Sequence, residues 1–369
     1  MVTRHIPVFK PSLPTADQLL PYIRRIDASR IYTNFGPLYE ELLRRLGNQF
    51  SCTSKSLVCA SSGTSAIVGA ILAKAGRAGK VRPYAVIPAM TFTATGLAAE
   101  MCGFRPRIMD VSSANWSLDP YKVIQLPDLD SVGLVIPVAP YGRPVDPYAW
   151  ERFHQESGIP VVIDAAGCFE SISDNSEKYI SKLPTVLSFH ATKSFSTAEG
   201  GCVISNDHDL IERVTSNLNF GFINTRETEV PGINGKMGEY NAAIGLAELD
   251  SWNEKKALLE QVSDLYHEAA KTRGIQHKLI IAPNVCSSYA LFAADNPEEA
   301  QVVKSNLEKA GIEFRYWYGN GLHRQKHYYD SAAVSSPVTD HLASTLLGLP
   351  VAPDLDSIAV NLICDQLIP

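Results

Sequence analysis

The chain has 369 residues, 45% of them hydrophobic, and a formal net charge of −6. That length exceeds one ordinary domain and allows a large domain plus a smaller one, each with its own core, while the net acidity, with the basic pairs Arg24-Arg25 and Arg44-Arg45 interleaved with acids, argues against broad nucleic-acid binding. Seven cysteines without a C-x-x-C pair leave an odd count, against structural zinc or a disulfide framework; Met1 to Pro7 lacks the apolar core of a signal peptide and no apolar run reaches membrane-spanning length, so a cytoplasmic protein is expected.

In chain order, the first informative element is Leu57 to Ala70, which reads as a strand, a turn and a helix. Small residues at the start of a helix leave backbone N–H groups pointing outward, and the helix dipole favours an anion there. Gly63, Thr64 and Ser65 are therefore candidates for holding a phosphate, although a Ser-Ser-Gly-Thr turn also reads as a plain helix cap. Gly76 to Val81 lacks the glycine spacing and the Ser/Thr of a phosphate-binding P-loop.

Strand-like runs follow at Ala85 to Ile87, Leu134 to Val138, Val161 to Ile163 and Cys202 to Ser205, alternating with helical patterns. That alternation is the signature of an α/β fold with a mainly parallel sheet, in which ligands sit beyond the carboxyl ends of the strands. Asp164 ends one of these runs. Lys193 closes the segment Ser188-Phe189-His190-Ala191-Thr192-Lys193 and is followed by Glu199-Gly200-Gly201.

A lysine among small hydroxyl residues before a double glycine, paired with an upstream strand-end acid, suggests a pyridoxal phosphate (PLP) site. The cofactor needs an amine to hold its aldehyde and an acid to keep its ring nitrogen protonated. A nearby carboxylate favours that protonated form, and a desolvated lysine yields a free amine that serves as nucleophile and base. Lys193 fits the first role, Asp164 the second, and Ser188 would help the Gly63 turn hold the phosphate.

Gly238 to Arg273 reads as one long helix, with Ala242, Ile244, Leu246, Leu249, Leu258 and Leu265 as its apolar positions. The aromatic run Arg315-Tyr316-Trp317-Tyr318-Gly319-Asn320-Gly321-Leu322-His323 is either a strand of a smaller domain or a substrate wall, with Tyr318 and His323 as the candidate contacts. His323 and His327 have no acidic residue between them as a helical zinc motif requires, and Gly319-Asn320-Gly321 lacks the third glycine of a dinucleotide fingerprint. No metal is expected.

The order of phosphate turn, strand-end acid and lysine is that of the PLP superfamily containing aspartate aminotransferase, and the chain more narrowly resembles the DegT family of PLP-dependent sugar aminotransferases. The blocks carrying the resemblance are Ile6 to Pro11, Thr33 to Pro37, Pro88 to Thr95, Ser188 to Gly201, Gly232 to Met237 with Glu239, and Leu349 to Pro353. It implies the PLP-dependent transferase fold, with a large PLP-binding domain over 1–250 and a small C-terminal α/β domain over 251–369. It also implies Lys193 as the Schiff-base lysine, Asp164 on the pyridine nitrogen and Ser188 on the phosphate. Phe92 takes the position that stacks on the cofactor ring, against a plain reading as a core residue, and Asn234 that of a residue reaching the phosphate in a neighbouring subunit, hence a homodimer with shared sites.

The expected reaction moves an amino group from glutamate or glutamine to a nucleotide-linked keto sugar. A dTDP-4-keto-6-deoxyhexose is the preferred acceptor, giving a 4-amino-4,6-dideoxy sugar for lipopolysaccharide O-antigen or a glycosylated product. A 3-keto sugar and a non-catalytic PLP-binding regulator are the alternatives; a dehydrating branch of the family carries His in place of the lysine. One departure stands out. The family usually has His or Gln three residues after the acid, positioned to bond the cofactor, and this chain has Gly167 there.

Overall fold

The computed structural model describes residues 5–331 and 335–368; Met1 to Arg4, part of the opening segment read for a signal peptide, lie outside them. Seven short strands build the main sheet: β1 (Leu57–Ala60), β2 (Tyr84–Pro88), β3 (Arg105–Met109), β4 (Val132–Val135), β5 (Ile163–Asp164), β6 (Thr185–Ser188) and β7 (Gly201–Ile204). Strands β3-β2-β4 form one hydrogen-bonded group and β5-β6-β7-β1 another. Parallel bridges Val135 to Val161 and Val138 to Asp164 join them.

The sheet is parallel except at β7, which runs antiparallel to both β6 and β1. The exception has a local cause. Parallel neighbours need a crossover of a dozen or more residues, usually a helix, whereas antiparallel neighbours close by a hairpin. The β6–β7 connection extends the ladder, with Phe189 N–H bonded to Gly200 O and Ala191 N–H to Ala198 O. Lys193 therefore sits in a hairpin loop at the carboxyl end of β6.

Side chains alternate across the sheet, as the two-residue period of a strand requires. Leu57, Cys59, Val86 and Leu187 join one buried cluster, while Val58, Ala60, Ile87 and Val186 join another on the opposite face. Both faces are covered, which is why the strands read as continuous apolar runs rather than alternating ones.

The helix Glu239–Arg273 is 35 residues long, about 50 Å at 1.5 Å per residue. Its first half packs into the main core through Ala242, Leu246 and Trp252, and its second half into a separate cluster through Val262, Tyr266 and Ala270. The apolar stripe differs from the expected one at Leu258, which is 37% exposed while Leu259 is buried; the large buried residues of this turn are Trp252, Leu259 and Tyr266, and the helix presents that side inward.

The second cluster is built around an antiparallel sheet of β8 (Leu279–Ile280), β9 (Ala290–Ala293) and β10 (Leu346–Leu349), in the order β10-β9-β8. Helices Pro297–Lys309 and Ser357–Asp365 supply Val303, Leu307, Val360 and Ile363. The opening segment also belongs here. Ile6 bridges Ile312, Phe9 bridges Val351, and Ile6 is buried in this C-terminal core. The chain thus starts against the smaller unit, crosses to the large one, and returns along the long helix, so the 1–250 and 251–369 division expected from sequence cuts a continuous helix and leaves Ile6 and Phe9 on the far side.

Two of the sequence blocks meet in one contact. Glu239 is buried and accepts the N–H groups of Leu38 at 2.9 Å and Tyr39 at 2.8 Å, satisfying the first turn of the helix Pro37–Gln49. Gly36 permits the approach, because a Cβ there would lie 2.7 Å from the Glu239 carboxyl carbon.

Candidate active site

A cavity of about 380 Å³ opens at the carboxyl end of the parallel strands, within the range of small-molecule sites. Gly63, Thr64, Phe92, Asp164, Gly167, Ser188, Lys193 and Tyr318 all line it. Three separate strand ends bring them together: β1 leads into the Gly63 turn, β5 ends at Asp164, and β6 ends at Ser188.

The helix Gly63–Lys74 begins at the cavity. Ser62 is its cap, accepting the Ser65 N–H at 3.0 Å, so the cap reading and the anion reading share the turn. The N–H groups of Gly63 and Thr64 have no intrahelical acceptor, and both residues line the cavity. Gly63 packs against Ser188, whose Cβ would be 3.0 Å from a Cβ at position 63, and Gly201 has room only for hydrogen, since a Cβ there would meet Gly63 N at 2.8 Å. Gly201, the first residue of β7, is thus a clearance for the phosphate turn.

Asp164 is 5% exposed. Its Oδ2 accepts from Thr95 Oγ1 at 2.7 Å and its Oδ1 from the Ala166 N–H at 3.2 Å. Burial pushes its pKa up; the Thr95 and Ala166 hydrogen bonds and the charge on Lys193 oppose that rise. It has no ion-pair partner among the described residues. A buried carboxylate without a cation is costly, and a protonated ring nitrogen is the kind of group that would relieve it.

Lys193 is held by the fold of its loop. Its N–H bonds His190 O at 2.9 Å, and Phe189 and Phe195 on either side are buried, Phe195 stacked on Phe169 at 4.2 Å. Its Nζ donates to Tyr289 Oη at 3.3 Å. Phe92 is 61% exposed at the start of the helix Thr93–Met101 and lines the cavity, so the core reading fails for it and its ring is free to lie against a ligand.

His323 is not brought to this cavity, and Asn234, expected at the phosphate of a neighbouring subunit, lies outside it. Asn234 is exposed and accepts from Lys236 Nζ at 3.1 Å. His323, expected at the substrate, is buried and turned away, its Nε2 bonded to Asp340 Oδ1 at 2.8 Å. It lies on a short turn after Gly321, and Asp340 and Arg324 complete the contact.

The sequence reading missed Thr95, Tyr289, Arg315 and Trp317. Thr95 stands in the quoted block beginning at Pro88, one helical turn after Phe92. Arg315 and Trp317 stand in the same aromatic run as Tyr318, and all three line the cavity. Tyr289 carried no signal, because its Cys-Ser-Ser-Tyr setting resembles no site motif. Burial and the neighbouring Tyr289 push the Tyr318 pKa up, so this wall is a set of neutral phenols.

A family model for the DegT/DnrJ/EryC1/StrS aminotransferase family matches residues 15–368. The chain belongs to this family. It is 32% identical over 248 residues to a dTDP-4-amino-4,6-dideoxy-D-glucose transaminase of Shigella dysenteriae, covering 66% of this chain and 65% of that one. It is 27% identical over 285 residues to a UDP-2-acetamido-2-deoxy-3-oxo-D-glucuronate aminotransferase of Pseudomonas aeruginosa, covering 76% and 78%. The fold matches the crystal structure of DesI with its TDP-sugar product at a TM-score of 0.85 and 25% identity, over 98% of this chain and 92% of that one.

The protein is therefore a PLP-dependent sugar aminotransferase with the PLP-dependent transferase fold. The cavity fits that cofactor on its own chemistry: N–H donors at a helix start for a phosphate, a buried acid lacking a cation, and a lysine amine between them. Among the described residues no group of His, Cys, Asp and Glu could hold a metal ion, all seven cysteines are free, and no helix is long and apolar enough to cross a membrane.

Proposed function

We propose that the protein transfers an amino group from glutamate or glutamine to a nucleotide-linked keto sugar, with a dTDP-4-keto-6-deoxyhexose as the preferred acceptor. The observation that carries the reading is the convergence of Lys193, Asp164 and the Gly63 turn on one cavity. The choice of a 4-keto sugar leans on the Shigella relative's activity at carbon 4. The Pseudomonas relative acts on a 3-oxo sugar of UDP, which makes a 3-keto acceptor the second reading.

Bound PLP supplies an aldehyde that takes up amino groups and a pyridinium ring that accepts the electron pair released when a Cα–H bond breaks. The chain's own residues do the rest. Gly63 and Thr64 N–H groups with the Ser188 hydroxyl would hold the phosphate, and the Phe92 ring would offer a face to the cofactor. Asp164, fixed by Thr95, would keep the ring nitrogen's proton in place. Lys193 Nζ, which lines the cavity, would hold the cofactor's aldehyde and, as a free amine, would take a proton from the donor's α-carbon and give one to the sugar carbon. Arg315 lines the cavity with its guanidinium 4.5 Å from the Phe9 ring centre and 5.6 Å from that of Trp317; those contacts use its faces and leave its N–H edge for an anionic substrate group.

Asn234, exposed and outside its own cavity, fits a role toward the cofactor phosphate of a second copy, and the protein is read as a homodimer on that basis. The large unit, residues 1–250, would carry the cofactor and 251–369 would form the smaller C-terminal unit, which Ile6 to Phe9 join. The test is to load the protein with PLP, add glutamate and then dTDP-4-keto-6-deoxyglucose, and locate the new amino group by NMR. An amine at carbon 4 supports the reading. Turnover of 3-keto sugars alone would replace it with the second one.

A further inference from the structure

Gly167 leaves a gap in the ring of side chains around the cofactor cavity, and the structure fills that gap from the smaller unit. A Cβ built on Gly167 would lie 3.1 Å from Gly142 N, 3.4 Å from Gly142 Cα and 3.6 Å from Tyr289 Cε2. A Cβ at 167 would press on the Gly142 backbone and touch the Tyr289 ring at ordinary contact distance. Gly142 itself is at φ +75° and packed to the limit, since a Cβ there would come 2.7 Å from Gly167 O. The loop carrying Gly142 and the tyrosine have thus closed on the space a side chain at 167 would need.

Tyr289 is placed there rigidly. It is 7% exposed, at the start of the smaller sheet, and its ring meets Tyr141 and Trp317 edge-on with centroids 5.6 and 5.1 Å away. The turn before it is bolted to the large unit. Cys286 N–H bonds Tyr141 O at 2.9 Å, and the buried Glu170 carboxylate accepts from Ser287 N at 3.0 Å, Ser287 Oγ at 2.8 Å and Cys286 Sγ at 3.0 Å. A hydroxyl offers one donor and two acceptor positions. Tyr289 Oη accepts from Lys193 Nζ, and its own proton has no acceptor among the described residues. Burial, with Cys286, Cys168 and Glu170 nearby, pushes its pKa upward, which favours the protonated, donating phenol.

We propose that Tyr289 is a positioning residue that takes over, from the smaller unit, the polar contact that Gly167 cannot make: it orients Lys193 and would donate a hydrogen bond from its phenol to the hydroxyl oxygen attached to the pyridine ring of bound PLP. The inference rests on the PLP reading of the site. It ties cofactor retention to the Glu170 bolt, since a tyrosine on a loosened 286–289 turn could not hold its place.

The test compares PLP-loaded wild type, Tyr289→Phe, Tyr289→Ala, and the double variant Tyr289→Ala with Gly167→Gln. Tyr289→Phe keeps the ring that fills the gap and removes only the hydroxyl. Its PLP dissociation constant, measured by equilibrium dialysis, rises about three- to tenfold, and the pH at which the bound cofactor's visible absorbance changes is displaced, a signature that a filling role alone does not move. The double variant recovers part of the lost affinity relative to Tyr289→Ala, because its glutamine occupies the vacated space. Wild-type affinity together with a wild-type absorbance titration in Tyr289→Phe overturns the proposal while leaving the PLP reading intact. A wild type that takes up no PLP overturns both.

Discussion

The two walls of the cavity are built differently. The wall from the large unit is polar and placed by backbone: Gly63, Asp164, Ser188 and Lys193 each follow the end of a strand, and each is fixed by a turn or a buried hydrogen bond. The wall from the smaller unit is aromatic and placed by side-chain packing: Tyr289, Trp317 and Tyr318 lean on one another and on Tyr141. The first wall suits chemistry common to every amino-group transfer, where charge and proton positions must be held to a fraction of an ångström. The second suits recognition and closure, where shape and apolar area dominate.

If that division is right, substitutions in the polar wall cost rate and those in the aromatic wall cost binding. The largest effect is expected at Lys193. Lys193→Ala should lose at least about 10³-fold in the glutamate half-reaction, since nucleophile and proton carrier vanish together, and stopped-flow absorbance would show it. An alanine variant with near-normal rate would break the comparison at its strongest point.

Asp164→Asn should follow, slowing the same step about 10²- to 10³-fold, as loss of a preorganised charge does. It should also reveal what the site costs the fold. The folded pKa of Asp164 is raised by burial, so unfolding is favoured as pH climbs from the ordinary carboxyl range through the raised value, where the unfolded chain ionises first and the native one must follow. Cofactor-free Asp164→Asn should therefore melt higher than cofactor-free wild type at neutral pH, with the gap closing on acidification below the ordinary carboxyl pKa. A variant that melts lower at pH 7 would mean that the carboxylate is comfortable without a partner.

This is also where sequence and structure part company. The polar wall was legible because its residue types are chemically obligatory and their strand-end settings are local: an acid after Val161-Val162-Ile163, a lysine between a serine-led turn and two glycines, a small-residue helix start. The aromatic wall was not, because nothing local marks Tyr289; it reaches Lys193 only through the packing of β9 against the large unit. His323 shows the reverse error. An imidazole beside aromatics reads as a substrate contact, but the turn after Gly321 directs it to Asp340. Likewise β7's reversal follows from a hairpin that no apolar pattern announces, and the return of Ile6 and Phe9 to the C-terminal unit is a long-range pairing invisible in either segment.

Arg315→Met tests the aromatic wall. It keeps the stem over Phe9 and removes the charge, so KM for the anionic substrate it serves should rise about ten- to a hundredfold, the worth of a charge-assisted hydrogen bond, with kcat little changed. A matched fall in kcat would place Arg315 with the polar wall instead. The smallest effect is expected at His323: His323→Gln should leave the glutamate half-reaction within about twofold while lowering Tm, because its buried bond to Asp340 is structural. A large loss of rate with unaltered Tm would return it to the site.

The most direct test of the whole account is the near-ultraviolet and visible spectrum of the PLP-loaded protein before and after glutamate, without any sugar, beside the Lys193→Ala protein. The account expects a visible band in the wild type that glutamate bleaches as its amino group is taken up, and no comparable lysine-dependent band in the variant. A wild type that shows no such band after PLP loading, or a variant that shows and bleaches it equally well, would contradict the central claim that Lys193 is the residue on which this chemistry turns.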